Sequence, residues 1–276
     1  MSLPRISIVM PSFNQEPYLE EAIVSILSQD YPNLEFMIFD GGSSDGSRAI
    51  IEKYADRLAY WQSQPDRGQS DVIIQGFSRA TGDLIGWINS DDALLPGTLR
   101  AVALAFQQNP GGGLFGGNYI LMDQFGRMRR CKRHPASAGW FAQFGIFAFN
   151  PPGSFYRLQE YRAVGGVRLD LQYAMDNDLY IRMIANGTRY VHIPRYLSLF
   201  RQHGAQKTSA CREECLTETR RLYGEWPQPL ARRGGQKRWE YLFRLWQLLN
   251  GNYIRMLLDT YRWRGKHWQS LPEKLN

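Results

Sequence analysis

Four short stretches of this 276-residue chain place oxygen-rich side chains where an apolar run ends. "PSFNQE" (11–16) closes "ISIVM", "DGGSSDGS" (40–47) closes "LEFMIF", "SQPDRGQS" (63–70) closes "LAYW", and "NSDD" (89–92) closes "DLIGWI". In "NSDD" two adjacent carboxylates, Asp91 and Asp92, repel each other unless something offsets them. A divalent cation does so, because hard oxygen ligands suit Mg2+ or Mn2+ and the ion can bridge a diphosphate. A turn or helix N-cap before Pro96 is the other reading of the same residues. Asp40, joined directly to an apolar strand, can accept from the N–H edge of a nucleobase while Gly41 and Gly42 admit a ligand to the backbone. Gly, Ser and Asp also make ordinary turns. Arg67 offers a permanently charged planar fork for a diphosphate, or is a solvated surface charge. The chain has no G-x-x-x-x-G-K-[ST] and no G-x-G-x-x-G after its first strand, which excludes the P-loop and the dinucleotide fingerprint.

The elements that must position these residues follow from hydrophobic period. Apolar runs alternate with helical patterns: "ISIVM", "PYLEEAIVSILSQ", "LEFMIFD", "SRAIIEKYADRL", "LAYWQSQ", "QSDVIIQGFSRA", "DLIGWI" and "PGTLRAVALAFQQNP". This is the βαβ rhythm of a parallel sheet with helices on both faces. Pro17 suits a first helical turn, and Leu19, Ile23, Ile26 and Leu27 recur at helical spacing. Then the alternation breaks. "LFGGNYILMDQFGRMRR" predicts a hairpin turning at Asp123 to Gly126, and "DNDLYIRMIANG" a helix ending at Gly187. In an open α/β sheet ligands sit beyond the carboxyl ends of the strands near the switch in strand order, so four polar strand ends in series predict one shared site.

Length allows one core with an extension. Hydrophobic residues make up 43%, charged residues 21% and aromatic residues 13%, the profile of a globular chain rather than a disordered one. Cys131, Cys211 and Cys215 form no even framework, and no charged-then-apolar leader precedes Arg5, so the expected compartment is the reducing cytosol. No apolar run approaches the roughly 20 residues needed to span a bilayer. The net charge of +7 lies wholly in the last part: residues 1–205 carry 19 Lys and Arg against 19 Asp and Glu, and residues 206–276 carry 14 against 7.

"SIVMPSFNQEPYLEEAIVSILSQDYPNLEFMIFDGGSSDGS", "DRGQSDVIIQGF", "TGDLIGWINSDD" and "AMDNDLYIRMIANG", in this order over residues 5–205, are similar to the motifs of family 2 glycosyltransferases. The resemblance implies a GT-A fold, a Rossmann-like mixed sheet flanked by helices, with a helical C-terminal extension from residue 206. It also implies inverting transfer of a sugar from a nucleoside diphosphate donor, commonly UDP, to a hydroxyl acceptor in polysaccharide or glycolipid assembly. By motif position, Pro11, Ser12, Asn14, Glu16, Asp40, Arg67, Gln69, Asn89 and Ser90 would bind the donor, with Phe13 either on the base or in the core. Asp91, then Asp92, would hold Mn2+ or Mg2+ on the diphosphate, with His203 of "FRQHGAQKT" a further ligand. The family's metal motif is Asp-x-Asp, and Asn89 replaces its first carboxylate. Asp176 would be the general base on the acceptor hydroxyl; Met175 stands where another acid often stands, and Asp178 would decorate a helix N-terminus.

The tail, "RWEYLFRLWQLL" and "NYIRMLLDTYRWRGKHW", mixes Trp, Tyr, Arg and Lys with Leu, as an interfacial helix does, or packs on the domain or another subunit. A peripheral place at the inner face of the cell membrane and a saccharide or lipid-linked acceptor are expected. "RMRRCKRH" (127–134) offers five bases to an anionic acceptor or is a solvated hairpin. A pI near 9.4 could suit RNA, but no RNA motif is visible and the core is neutral, so no nucleic-acid partner is expected. Two competitors are a sugar nucleotidyltransferase, which wants a glycine-rich, Arg-containing loop where "PSFNQE" stands, and a non-catalytic nucleotide or sugar binder, which Asn89 and Met175 would suit.

Overall fold

The computed structural model of the chain describes residues 3–142, 144, 146, 151–204, 206, 211–225 and 236–271. Strands β1 (Ile6–Ser12), β2 (Leu34–Asp40), β3 (Tyr60–Ser63) and β4 (Leu84–Trp87) lie parallel in the order β3-β2-β1-β4. The expected strand ends therefore share one edge, and the order reverses at β1. Ile6, Ile8 and Met10 of β1 join Phe36 and Ile38 of β2 in one core layer. Val9, Met37 and Phe39 join the layer on the opposite face. Both faces being covered explains why these strands read as unbroken apolar runs.

Helices α1 (Glu16–Leu27), α2 (Ser47–Lys53) and α4 (Thr98–Gln108) supply Leu19, Ile23, Ile51, Leu99 and Val102 to the first layer. Helix α3 (Gln69–Arg79) supplies Val72, Ile73 and Phe77 to the second. It lies so close to β1 that a Cβ at Gly76 would run into Val9. The helix expected over 47–58 stops at Lys53, and Ala55–Arg57 forms a single tighter turn.

Beyond β4 the sheet becomes mixed, continuing β8-β6-β9-β5. Here β5 is Ala93–Leu94, β6 Leu114–Asp123, β7 Met128–Lys132, β8 Ser154–Arg157 and β9 Tyr190–Gln202. β8 runs antiparallel to both β4 and β6, β9 parallel to β6, and β5 antiparallel to β9. The hairpin predicted at Asp123 to Gly126 joins β6 to β7: Asp123 Oδ1 accepts from the amides of Phe125 and Arg127, and Gly126 takes φ +73°. Short helices α5 (Ala138–Ala142) and α6 (Leu158–Ala163) precede α7 (Met175–Ala185), and Gly187 at φ +86° follows it.

Three helices follow β9: α8 (Arg212–Glu225), α9 (Gln236–Leu249) and α10 (Asn252–Trp263). They rest on the body at separate places. Arg168 pairs with Glu225 of α8, Phe243 of α9 meets Phe141, and Asp259 of α10 takes Arg133 at 2.9 Å and the Tyr196 hydroxyl at 2.6 Å. Trp263 closes a third apolar cluster over β5, β6, β7 and β9. Two bases of the "RMRRCKRH" stretch are thereby spent internally, Arg133 on Asp259 and Arg129 on Asp123. Among the described residues no helix is long and apolar enough to cross a membrane.

Candidate active site

The first two loops interlock. Asn14, held at φ 51°, accepts from the Ser44 amide at 2.9 Å and gives its own amide to Ser43 Oγ. Glu16 accepts from the Gly46 amide at 3.0 Å and donates its own to Asp45. Asn14 and Glu16 therefore shape the pocket by stapling the loop after β1 to the loop after β2. Asp40 is buried and accepts from the Ser43 amide and hydroxyl and from Ser63 Oγ at 2.6 Å, tying the ends of β2 and β3 together. A carboxylate has about four lone-pair sites, so these three bonds leave one for an incoming N–H. Pro11 is half-buried, and Ser12 is buried with no partner for its hydroxyl among the described residues. Phe13 is exposed and lies against Gly41, which places it outside the core.

The turn after β4 is a chain of hydrogen bonds. Gln69 Nε2 donates to Asn89 Oδ1 at 2.7 Å, and Asn89 Nδ2 donates to Asp92 Oδ2 at 3.3 Å. Asp92 is buried, and its other oxygen accepts from the Arg201 amide at 3.0 Å. Burial, with the charge of Asp91 beside it, pushes the Asp92 carboxyl well above its ordinary range. It acts as an internal anchor, and Ser90 is likewise buried. Asp91 turns the other way, its Oδ2 lying 3.0 Å from His203 Nε2. Two of the three residues expected to ligate a cation, Asp91 and His203, thus meet across 112 positions of sequence. No cluster of three or more His, Cys, Asp or Glu able to hold a metal occurs among the described residues. One carboxylate and one imidazole still fit Mn2+ or Mg2+, because such ions fill their remaining positions with substrate phosphates and water.

Arg201, which motif reasoning missed, holds this turn. Fully buried at the end of β9, it donates Nε to the Asp91 carbonyl at 2.8 Å and pairs with Glu21 of α1 at 2.9 Å. Its guanidinium lies 4.8 Å from the Tyr18 ring centroid, and Tyr18 in turn lies 4.8 Å from the His203 ring. Arg67 is largely exposed and rests on Asp71 at 3.0 Å. Gly68, at φ +102°, abuts Gln172 in the loop before α7.

Asp176 sits in the first turn of α7, half-buried, its Oδ1 accepting from the Asn177 amide at 2.8 Å. Burial raises its carboxyl to about 6, and Glu218 adds to the shift. That is where a general base at neutral pH is best placed. Asp178 is instead an anchor, buried against Arg182 at 2.6 Å, whose guanidinium also bonds the carbonyls of Val164 and Gly166. Glu218, from α8, is the second residue that reading the chain overlooked. Its carboxylate accepts from the amides of Gln172, Tyr173 and Ala174 at 2.7–2.8 Å, fixing the approach to α7. An aromatic column links β4 to α7. Trp87 of β4 stacks on Tyr156 at 5.5 Å, and Tyr156 stacks on Tyr180 of α7 at 6.1 Å, their hydroxyls 3.3 Å apart.

Against known proteins, the family model described as Glycosyl transferase family 2 matches residues 7–164, more than half the chain. The putative glycosyltransferase EpsE of Bacillus subtilis is 29% identical over 213 residues, 72% of this chain and 73% of that protein. The GalNAc(5)-diNAcBac-PP-undecaprenol beta-1,3-glucosyltransferase of Campylobacter jejuni is 33% identical over 104 residues, 36% of this chain. The match spans about a third, 34%, of that relative's length. Among solved structures, S. aureus TarS 1-349 with UDP-GlcNAc superposes with a TM-score of 0.65 at 18% identity, over 82% of this chain and 68% of that one. The mannosyltransferase PcManGT of Pyrobaculum calidifontis, in complex with GDP-Man and Mn2+, gives 0.59 at 18% identity, over 83% and 67%. The fold held in common is GT-A.

Proposed function

Because the chain belongs to glycosyl transferase family 2 and is a glycosyltransferase, we propose that it moves a sugar with inversion from a nucleoside diphosphate to an acceptor hydroxyl, Asp176 acting as base. The observation that supports this reading is the pairing of Asp91 with His203 beyond β4, alongside an aspartate at the start of α7 whose carboxyl sits at about 6. Residues 1–205 form the catalytic domain and residues 206–276 an extension.

Asp40 receives an N–H of the base, Ser12 offers its free hydroxyl, and Arg67 swings from Asp71 to the diphosphate. Asp91 and His203 would hold the divalent cation, which neutralises the diphosphate and so favours its departure. The acceptor oxygen bonds to the anomeric carbon as the bond to the diphosphate oxygen breaks on the opposite face. The hydroxyl proton passes to Asp176. The donor is a UDP-sugar, a choice supported by TarS structures that hold UDP and UDP-GlcNAc. The Campylobacter relative's undecaprenol-linked substrate supports a saccharide or lipid-linked acceptor, met at the inner face of the cell membrane.

The test is calorimetric binding of UDP, GDP and TDP with and without Mn2+. Metal-dependent binding of UDP that Asp91→Ala abolishes, with Asp176→Asn binding donor but failing in transfer, is the expected result. Full transfer by Asp176→Asn would remove the base assignment, and no nucleotide binding at all would favour a non-catalytic relative.

A further inference from the structure

Helices α9 and α10 meet at an elbow where Gly251 takes φ +73°, and each is fastened to the body along one side only. Phe243 is buried against Phe141 on α9. Met256 and Trp263 are buried on α10, beside Asp259 and Thr260, which bond to the β7 and β9 region. The other side of each helix carries an apolar row left exposed among the described residues. On α9, Leu242, Leu245, Trp246 and Leu249 recur at i, i+3, i+4 and i+7, and all are exposed. On α10, Ile254, Leu257, Leu258 and Tyr261 repeat the same spacing, equally exposed. Isolated exposed apolar residues are ordinary, but two continuous rows on neighbouring helices mark a surface that is covered in use.

Charge selects what covers it. Residues 236–271 contain seven Lys and Arg against two acids, Glu240 and Asp259, and Asp259 is already taken by Arg133 and Tyr196. The surface around the rows is therefore strongly positive, and a second copy would bring the same charge against it. Both helices are too short to span a bilayer but suit lying in its interface, apolar row down and guanidiniums at headgroup level. We propose that the paired apolar rows of α9 and α10 dock the protein on an anionic bilayer surface, sinking Leu245, Trp246, Leu257 and Leu258 below the phosphates while Arg244, Arg255 and Arg262 contact them. This deepens the membrane-face reading above and depends on no feature of the donor site.

The test is flotation of the full chain with phosphatidylcholine vesicles, with and without phosphatidylglycerol, at low and high salt, alongside nucleotide binding on the same preparations. Binding to the phosphatidylglycerol vesicles that weakens with salt is expected. Leu245→Glu combined with Leu258→Glu, both on the exposed rows, should reduce it at least about tenfold, since each change removes a leucine from the apolar row and sets a charge in its place. Circular dichroism and nucleotide binding of that variant should match the parent. Vesicle binding unchanged in the variant, or absent in the parent, overturns the proposal. So does a concentration-dependent dimer that the variant abolishes, which would assign the rows to a second copy. Vesicle binding without nucleotide binding would leave docking standing and remove the donor reading; the reverse result would do the opposite.

Discussion

An amide at position 89 suits its neighbours better than the carboxylate it replaces. Asn89 accepts from Gln69 and donates to Asp92, whereas an aspartate there would face the buried Asp92 with no proton between them. Asn89→Asp is expected to cost about 1–3 kcal/mol in thermal or urea unfolding, more at neutral than at acid pH. Asp176 sets a second expectation. With its carboxyl at about 6, it is an active base only above that pH, so kcat/KM should rise with pH up to about 6 and level off beyond it. Asp176→Asn should lose roughly 10²- to 10⁴-fold in kcat. A third lies outside the site. Burial, with the charges of His192 and Lys132 nearby, lowers His134 to about 3, and burial with Arg133 nearby lowers His192 to about 4, while the unfolded chain protonates histidine near 6.5. Below that value the unfolded state binds more protons, so stability should fall as pH drops from about 6.5 towards 4. His134→Phe should flatten that decline in urea midpoints measured across the range, because neither ring nitrogen of His134 has a partner to lose.

At the scale of elements, α8 completes a helix it does not adjoin in sequence. Its Glu218 bonds three amides leading into α7 and contributes to the raised carboxyl of Asp176. Glu218→Gln removes that charge, and the acid limb of kcat/KM should move to lower pH while donor KM stays unchanged; a limb that does not move would make Glu218 purely structural. This contact also marks where sequence reading stops. The strands β1 to β4 and helices α1 to α4 are legible because period and burial coincide in them; Asp40 and Asp91 stand out because they follow such strands, whereas Asp176 stands out only through the resemblance to the family's motif. β5 has only two residues, and β8 is an antiparallel strand that falls after the alternation breaks, so neither is marked by the βαβ rhythm that picks out the equally short β3 and β4. Arg201 and Glu218 carried no local signal: their partners lie some 110 and 45 positions away, and a tail basic overall masks the acids, Glu218, Glu225 and Asp259, that bond to the body.

The whole molecule is two core layers across one sheet, plus a third cluster sealed by the tail at Trp263. The aromatic column from Trp87 through Tyr156 to Tyr180 links β4, which leads into the "NSDD" turn, to α7, which carries Asp176. Tyr156→Ala should therefore lower transfer more than nucleotide binding, as measured by comparing kcat with donor affinity, besides costing about 3–5 kcal/mol as a large core truncation. One further consequence follows from β9, whose far end supplies Arg201 to the "NSDD" turn some 110 residues upstream, followed soon after by Glu218 on α8. On the ribosome the strands that frame the donor pocket emerge first, yet the turn that would grip the diphosphate and the loop that aims the base both wait for residues 201–218. A chain still short of residue 201 thus lacks the arginine that holds the "NSDD" turn, and one short of residue 218 lacks the carboxylate that fixes the approach to α7, so both local structures are completed only late in synthesis.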